Sequence, residues 1–360
     1  MERVQQVLEL AQKQGLDALV LMPGPNLFYL TGLAFHVSER PILAFFPVDE
    51  PPALVLPALE AGKVAGLRTF PYSDAEGYAL AFHEACAALE LAEARVGVES
   101  LRMRLLEARI LQRYAPDTEL LPADELLATP RMVKDEVELE AMRRAVRVAE
   151  EAFEAWLGEL AVGMTEMEAA ARLQAALLTH GAAGLAFAPI VAGGPHGALP
   201  HAVPGERPLA PGDWVVVDWG ASVGGYDSDL TRMVVLGPAE GTLAAVHEIV
   251  LRANEAGRQA VGPGQSAEGV DRATRTVIEA AGYGAAFLHR TGHGLGLEAH
   301  EPPSIVEGNT ILLRPGFTFT VEPGIYLEGL GGVRIEDDVV VTESGSETLS
   351  TLSREPFVIT

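Results

Sequence analysis

The feature that most constrains this chain is a pair of acidic residues set into β-branched runs. Trp214-Val215-Val216-Val217-Asp218-Trp219-Gly220 is followed, across Gly224-Gly225, by Leu230-Thr231-Arg232-Met233-Val234-Val235. Two such runs joined by a glycine turn read as a hairpin. Asp218 and Asp229 are equidistant from a midpoint between Val223 and Gly224. Simple pairing therefore predicts that they face each other with Cβ atoms ~5 Å apart. Two carboxylates so placed repel each other unless a cation sits between them.

The arrangement returns downstream. Phe317 to Val321 and Val333 to Val341 flank Gly329-Leu330-Gly331-Gly332, and Glu322 and Glu336 lie equally far from Gly329. Between the hairpins runs His289-Arg290-Thr291-Gly292-His293-Gly294-Leu295-Gly296-Leu297-Glu298-Ala299-His300-Glu301, whose glycines let the backbone approach a site closely. His196 and His201 add two further imidazoles. Any one of these residues alone has an ordinary structural reading, but an Asp pair, a Glu pair and a glycine-flanked histidine group together point to metal. Four carboxylates and one imidazole balance two divalent cations, the ligand set of a two-metal hydrolase. Cys86 is the only cysteine, so neither a disulfide nor a thiolate zinc site can be built within one chain. Oxygen-rich ligation suits hard ions, with Mn²⁺ first and Co²⁺ or Zn²⁺ as alternatives.

The 360 residues, at ~150 per domain, suggest two domains. Residues 4 to 11 read as a helix and 18 to 22 as a strand closed by Pro23-Gly24-Pro25. Strands at 42–46 and 53–56 and helices near 76–93 and 101–113 complete a mixed α/β unit ending around Leu127, with Pro130 as a linker mark. A helix from Asp135 to about Leu160 opens the second unit, its stripe formed by Leu139, Met142, Val146, Ala149 and Phe153. Strands with glycine-rich turns then run from 186 to 341, with helices near 241–261 and 265–281. Lys plus Arg number 26 against 50 Asp plus Glu, a net charge of −24, which disfavours nucleic acid and anionic membrane as partners. No apolar run reaches the ~18 residues of a membrane span, and a cytoplasmic protein is expected.

These motifs resemble the pita-bread metallopeptidase family, which contains aminopeptidase P, prolidase, methionine aminopeptidase and the metal-free creatinase. The match comprises Asp218-Trp219-Gly220, Gly225-Tyr226-Asp227-Ser228-Asp229-Leu230-Thr231-Arg232, Gly292-His293-Gly294-Leu295-Gly296, Glu322-Pro323-Gly324-Ile325-Tyr326 and Gly332-Val333-Arg334-Ile335-Glu336-Asp337. Pro25-Asn26-Leu27-Phe28-Tyr29-Leu30-Thr31-Gly32 is similar to a run of the proline-specific members. The resemblance implies an α/β N-terminal domain over 1–128 and an α+β pita-bread catalytic domain over 129–360 with an internal pseudo-two-fold. It implies Asp218, Asp229, His293, Glu322 and Glu336 as ligands of two ions, with Asp229 and Glu336 bridging.

On the same ground His201 and His300 contact substrate and transition state, and Glu322 shuttles a proton. His289 lies near the substrate pocket, and Arg334 orients Glu336. The structural reading is preferred for His196, Asp227 and Glu301. The implied activity is hydrolysis of the Xaa-Pro bond of dipeptides or short peptides by a metal-bridging hydroxide, in a homodimer. A broad or methionine-type aminopeptidase, a creatinase-like enzyme and a peptide-binding protein are the alternatives. Some prolidases use an Arg shortly after the second histidine for the dipeptide carboxylate. Glu301-Pro302-Pro303-Ser304 offers none here, so dipeptidase and aminopeptidase both stay open.

Overall fold

The computed structural model describes residues 2–360. The chain divides into two compact units, Met1–Arg131 and Met132–Thr360.

The first unit is built on a six-stranded mixed sheet in the order Arg68–Tyr72, Ala53–Pro57, Leu43–Pro47, Ala18–Leu21, Arg95–Val98, Glu119–Pro122. The helices are Glu2–Lys13, Pro25–Thr31, Ala79–Ala88, Leu105–Tyr114 and Asp124–Arg131. The apolar runs at 18, 43 and 53 form the buried centre. The two edge strands escape a reading by periodicity because they are short, partly polar and contain Pro71 and Pro122. Two expectations are corrected. Pro23-Gly24-Pro25 is not only a turn: Pro25 occupies the first helical position, where its missing N–H costs nothing. Pro130 lies not in a linker but in the last turn of helix Asp124–Arg131, which also contains the expected boundary at 128/129.

In the second unit, helix Glu136–Leu157 begins at Asp135, whose side chain accepts from the Glu138 N–H while Glu138 returns the bond. The expected stripe of Leu139, Met142, Val146, Ala149 and Phe153 is buried. A second helix, Glu166–Thr179, opens on the same capping box at Thr165 and Glu168, a signal in plain sight in the sequence. The pair Thr242–Ala260 and Ala267–Ala280 then repeats this plan. Each helix pair is followed by strands and a long hairpin, the internal pseudo-two-fold of the pita-bread architecture.

Strand Trp214–Trp219 is buried on both faces. Val215, Val217 and Trp219 pack with the first helix pair; Trp214 and Val216 pack with the second. Trp219 stacks on Phe153, ring centroids 4.2 Å apart, and donates from Nε1 to the Ala149 carbonyl. Asp218 therefore lies, by alternation, on the face away from that stack.

Candidate active site

The register of the first hairpin differs from the expected one. Asp218 pairs with Thr231 and Trp219 with Leu230, so Asp218 and Asp229 are not opposite each other. The cause is the turn. Gly224 and Gly225 have φ of 62° and 87°, and Val223 pairs with Tyr226. A two-residue loop with both central residues in the left-handed region is a type I′ turn, and it fixes the midpoint between the two glycines. Because the slip is two residues on one strand, Asp229 stays on the same face as Asp218, as a diagonal neighbour.

The second hairpin keeps the expected register. Tyr326 pairs with Gly332 and Gly324 with Arg334, Val321 pairs with Asp337, and Glu322 and Glu336 fall opposite each other between these two ladders. The hairpins meet where Thr231 bridges Glu336: the Glu336 N–H donates to the Thr231 carbonyl, and Thr231 Oγ1 donates to Glu336 Oε2 at 2.6 Å.

These elements wall a cavity of about 450 Å³, and all seven residues expected at the catalytic and metal positions line it: Asp218, Asp229, His293, Glu322 and Glu336 with His201 and His300. His289 and Arg334 line it as well. Ligand atoms of Asp229, His293 and Glu336 all lie within 4.8 Å of one another, and His293 Nε2 is 3.2 Å from Glu322 Oε1. His293 Nδ1 lies 3.2 Å from the Gly294 carbonyl, and Nε2 points toward the carboxylates. The ring of His300 lies edge-on to His293, with centroids 4.1 Å apart.

Arg334 does not hold Glu336 as expected. Its Nη2 donates to Asp218 Oδ2 at 2.6 Å and its Nε to Thr231 Oγ1, while Nη1 donates to the Pro200 carbonyl and the Tyr326 hydroxyl. The planar fork reaches from the second hairpin to the first, and Glu336 is held by Thr231 instead. Tyr326 in turn donates to His289 Nε2 at 2.8 Å. The backbone N–H of Asp229 donates to Asp338 Oδ2. Thr231, Tyr326 and Asp338 escaped the sequence reading; the period of two, which puts Asp338 on the Glu336 face, was the available signal for the last. His196 lies elsewhere, 2.7 Å from buried Glu166, and Glu301 forms a buried pair with Lys134.

The electrostatics ask for positive charge. Burial, then Glu336, Asp218 and Asp338, push the Asp229 carboxyl well above the usual range; burial, then Glu322 and Asp218, do the same to Glu336. Asp218 is raised by burial against the pull of Arg334. Glu322 departs from the rest: burial pushes it up, but the hydrogen bond and charge of His293 outweigh that and bring it to about 2. Asp218 Oδ1 is buried with no hydrogen-bond partner among the described residues, an arrangement that costs free energy unless something fills it. Four carboxylates, one oriented imidazole and an orphaned oxygen fit a site for divalent cations.

Residues 3–133 match the Creatinase/Prolidase N-terminal domain and residues 140–343 match Metallopeptidase family M24. The chain belongs to metallopeptidase family M24. It is 34% identical over 355 residues to the Xaa-Pro dipeptidase of Pyrococcus horikoshii, covering 98% of each chain. A solved prolidase from Thermococcus sibiricus superposes with a TM-score of 0.96 at 33% identity, covering 99% of this chain and 98% of that one. A solved X-Pro aminopeptidase from Thermotoga maritima superposes with a TM-score of 0.85 at 32% identity, covering 98% and 100%. Family M24 membership implies divalent metal ions and a peptide substrate, and the donor set described above is the place in this M24 chain that suits them. Among the described residues no helix is long and apolar enough to cross a membrane.

Proposed function

We propose that this chain hydrolyses the Xaa-Pro bond of dipeptides and short peptides, with two divalent ions, Mn²⁺ foremost, held by Asp218, Asp229, His293, Glu322 and Glu336. Asp229 and Glu336 would serve both ions in this reading. The observation that carries it is the convergence of those five donors with three further imidazoles on one cavity, in a chain whose relatives include a named Xaa-Pro dipeptidase. When bound, the ions supply activation of water at neutral pH and polarisation of a carbonyl.

The remaining steps fall to the chain's own side chains. Glu322, ionised at neutral pH, accepts the proton of the attacking water on a carboxylate oxygen and delivers it to the proline nitrogen. His300 is brought down to about 4 by burial and by the neighbouring His293 and Arg290, so it is neutral at pH 7. It donates one N–H to the developing oxyanion while His201 binds the substrate backbone. Arg334 fixes Asp218, and His289, steadied by Tyr326, lines the substrate side. A tertiary Xaa-Pro amide lacks the N–H that strand-like binding uses, so a dedicated site is required. A homodimer and a cytoplasmic location belong to the same proposal; the lone buried Cys86 suits a reducing compartment, and sedimentation velocity tests the assembly.

The test is turnover of Ala-Pro, Ala-Pro-Ala and Ala-Ala by Mn²⁺-loaded protein. The expected result is cleavage of the proline substrates at least ~100-fold faster than Ala-Ala, since an unpaired buried N–H and an empty ring pocket together cost ~3 kcal/mol. Equal rates on Ala-Pro and Ala-Ala would return the chain to a broad aminopeptidase.

A further inference from the structure

An acid in the first turn of a helix ordinarily faces water, where it answers the helix dipole. Helix Glu166–Thr179 carries two such acids with different fates. Glu168 is exposed and completes the capping box with Thr165, whereas Glu166 is wholly buried. Burying a carboxylate is costly unless donors meet its oxygens, and those that meet Glu166 come from a distant part of the chain. Oε1 accepts from the Gly193 N–H at 2.9 Å. Oε2 accepts from the Gly205 N–H at 3.3 Å, and His196 Nδ1 lies 2.7 Å from it.

Gly193 and Gly205 are the two ends of the loop that contains His201. Strand Ile190–Gly193 stops at the first. At the second, the Gly205 and Arg207 carbonyls accept from the Met167 and Glu166 N–H groups, which docks the far end on the start of the same helix. The stretch between turns on local bonds, from the Leu199 N–H to the His196 carbonyl and from the Ala202 N–H to the Leu199 carbonyl. Near its middle the Pro200 carbonyl accepts from Arg334 Nη1. His201 follows Pro200, is exposed, and lines the cavity. One buried carboxylate thus closes the loop at its base, and one guanidinium holds it beside the histidine.

The other half of the pseudo-two-fold follows the same plan. Asp271, buried in helix Ala267–Ala280, accepts from Thr291 Oγ1 at 2.7 Å and from the fork of Arg275, whose Nη2 also donates to the His289 carbonyl. In each half a buried acid of the second helix fixes the segment that bears a cavity histidine.

We propose that Glu166 is a positioning residue for the hydrolysis: by bonding both ends of the 194–204 loop it holds His201 where turnover requires it. Glu166 acts only through that loop. This rests on the Xaa-Pro reading above, in which His201 binds the substrate backbone. A loop released at its base keeps the imidazole but not its place, and a misplacement of ~1 Å can cost ~100-fold in rate.

The experiment is a double-variant cycle on Mn²⁺-loaded protein with Ala-Pro as substrate. Glu166→Gln keeps the shape but turns an NH2 toward the loop's donors. Its kcat falls ~30-fold, with bound Mn²⁺ unchanged by elemental analysis. In a His201→Ala background the same substitution costs less than ~2-fold, because no imidazole is left to misplace. A ~30-fold loss in both backgrounds would overturn the proposal, and so would an unchanged kcat in Glu166→Gln. Glu166→Asp keeps the charge at the helix start while shortening the reach. It gives the same pattern at ~3-fold, which decides the matter should the glutamine variant not fold. Hydrogen exchange read by mass spectrometry reports on the loop without turnover: peptides covering 194–204 exchange ~10-fold faster in Glu166→Gln, while helix Glu166–Thr179 and the rest of the chain keep their rates. If the wild-type protein leaves Ala-Pro intact, the Xaa-Pro reading fails, and exchange alone decides. Faster exchange confined to the loop then upholds Glu166 as its mount; exchange equal to wild type, or faster throughout, refutes it.

Discussion

The two hairpins do the same job by different geometry. In the second, Glu322 and Glu336 face each other in the register that counting from Gly329 predicts. In the first, a two-glycine turn moves the register by two, and Asp229 is held by a bond from its backbone to Asp338 of the other hairpin. Symmetry of sequence is therefore a safe guide to which face a carboxylate occupies and a poor guide to its partner. Partnership across the pseudo-two-fold is set by side chains that cross it: Thr231 to Glu336, Arg334 to Asp218.

The largest expected effect breaks the symmetric hairpin. Glu336→Gln keeps the shape and removes a carboxylate charge that the proposed reading gives to both ions, so kcat/KM falls ~1000-fold or more, the several kcal/mol that metal charge stabilisation is worth. Elemental analysis of the desalted variant should show less bound Mn²⁺, and circular dichroism an intact fold. Next come the groups outside both hairpins. His201→Ala and His300→Ala each retain metal and lose ~100-fold in kcat; loss of the ions from either variant would make that histidine a ligand. Arg334→Lys tests the tie between hairpins and should weaken metal affinity ~10-fold or more, as removal of a group that orients a ligand commonly does, read by competition with a chelator.

Smaller effects sharpen the turn argument. Gly225→Ala places a side chain at φ of 87° and costs ~1–2 kcal/mol, a Tm drop of several degrees in a unit this size. Gly329→Ala, at φ of 76°, should cost about as much in stability without moving Glu322 or Glu336. The smallest effect belongs to His196→Ala. Glu166 keeps the N–H bonds of Gly193 and Gly205, so turnover should change less than ~3-fold, against the ~100-fold of a transition-state donor.

Much of this was legible from residue order alone. Apolar runs and helical stripes placed the central strands and long helices, and paired acids with a glycine-flanked histidine placed the cavity. What escaped is of two kinds. Local signals were present but outvoted: the capping box at Thr165, the proline suited to a helix start at Pro25, the Gly-Gly turn that defines register. The others are tertiary. Nothing near Arg334 in sequence says that it reaches Asp218. The motif run of the first unit belongs here too. Asn26 donates to Glu99 Oε1 and accepts from Arg131 Nη1, residues far from it in the chain, so it has a stabilising task within its own unit.

Strand Trp214–Trp219, packed on both faces, has a consequence for how this chain tolerates change. An ordinary amphipathic strand alternates between permissive and restrictive positions, so random substitution produces a period-two profile. Here every position either fills one of two cores or carries the Asp218 charge. A saturation scan across these six residues should give a flat profile of intolerance, with loss of folding at five positions and loss of activity in a folded protein at the sixth.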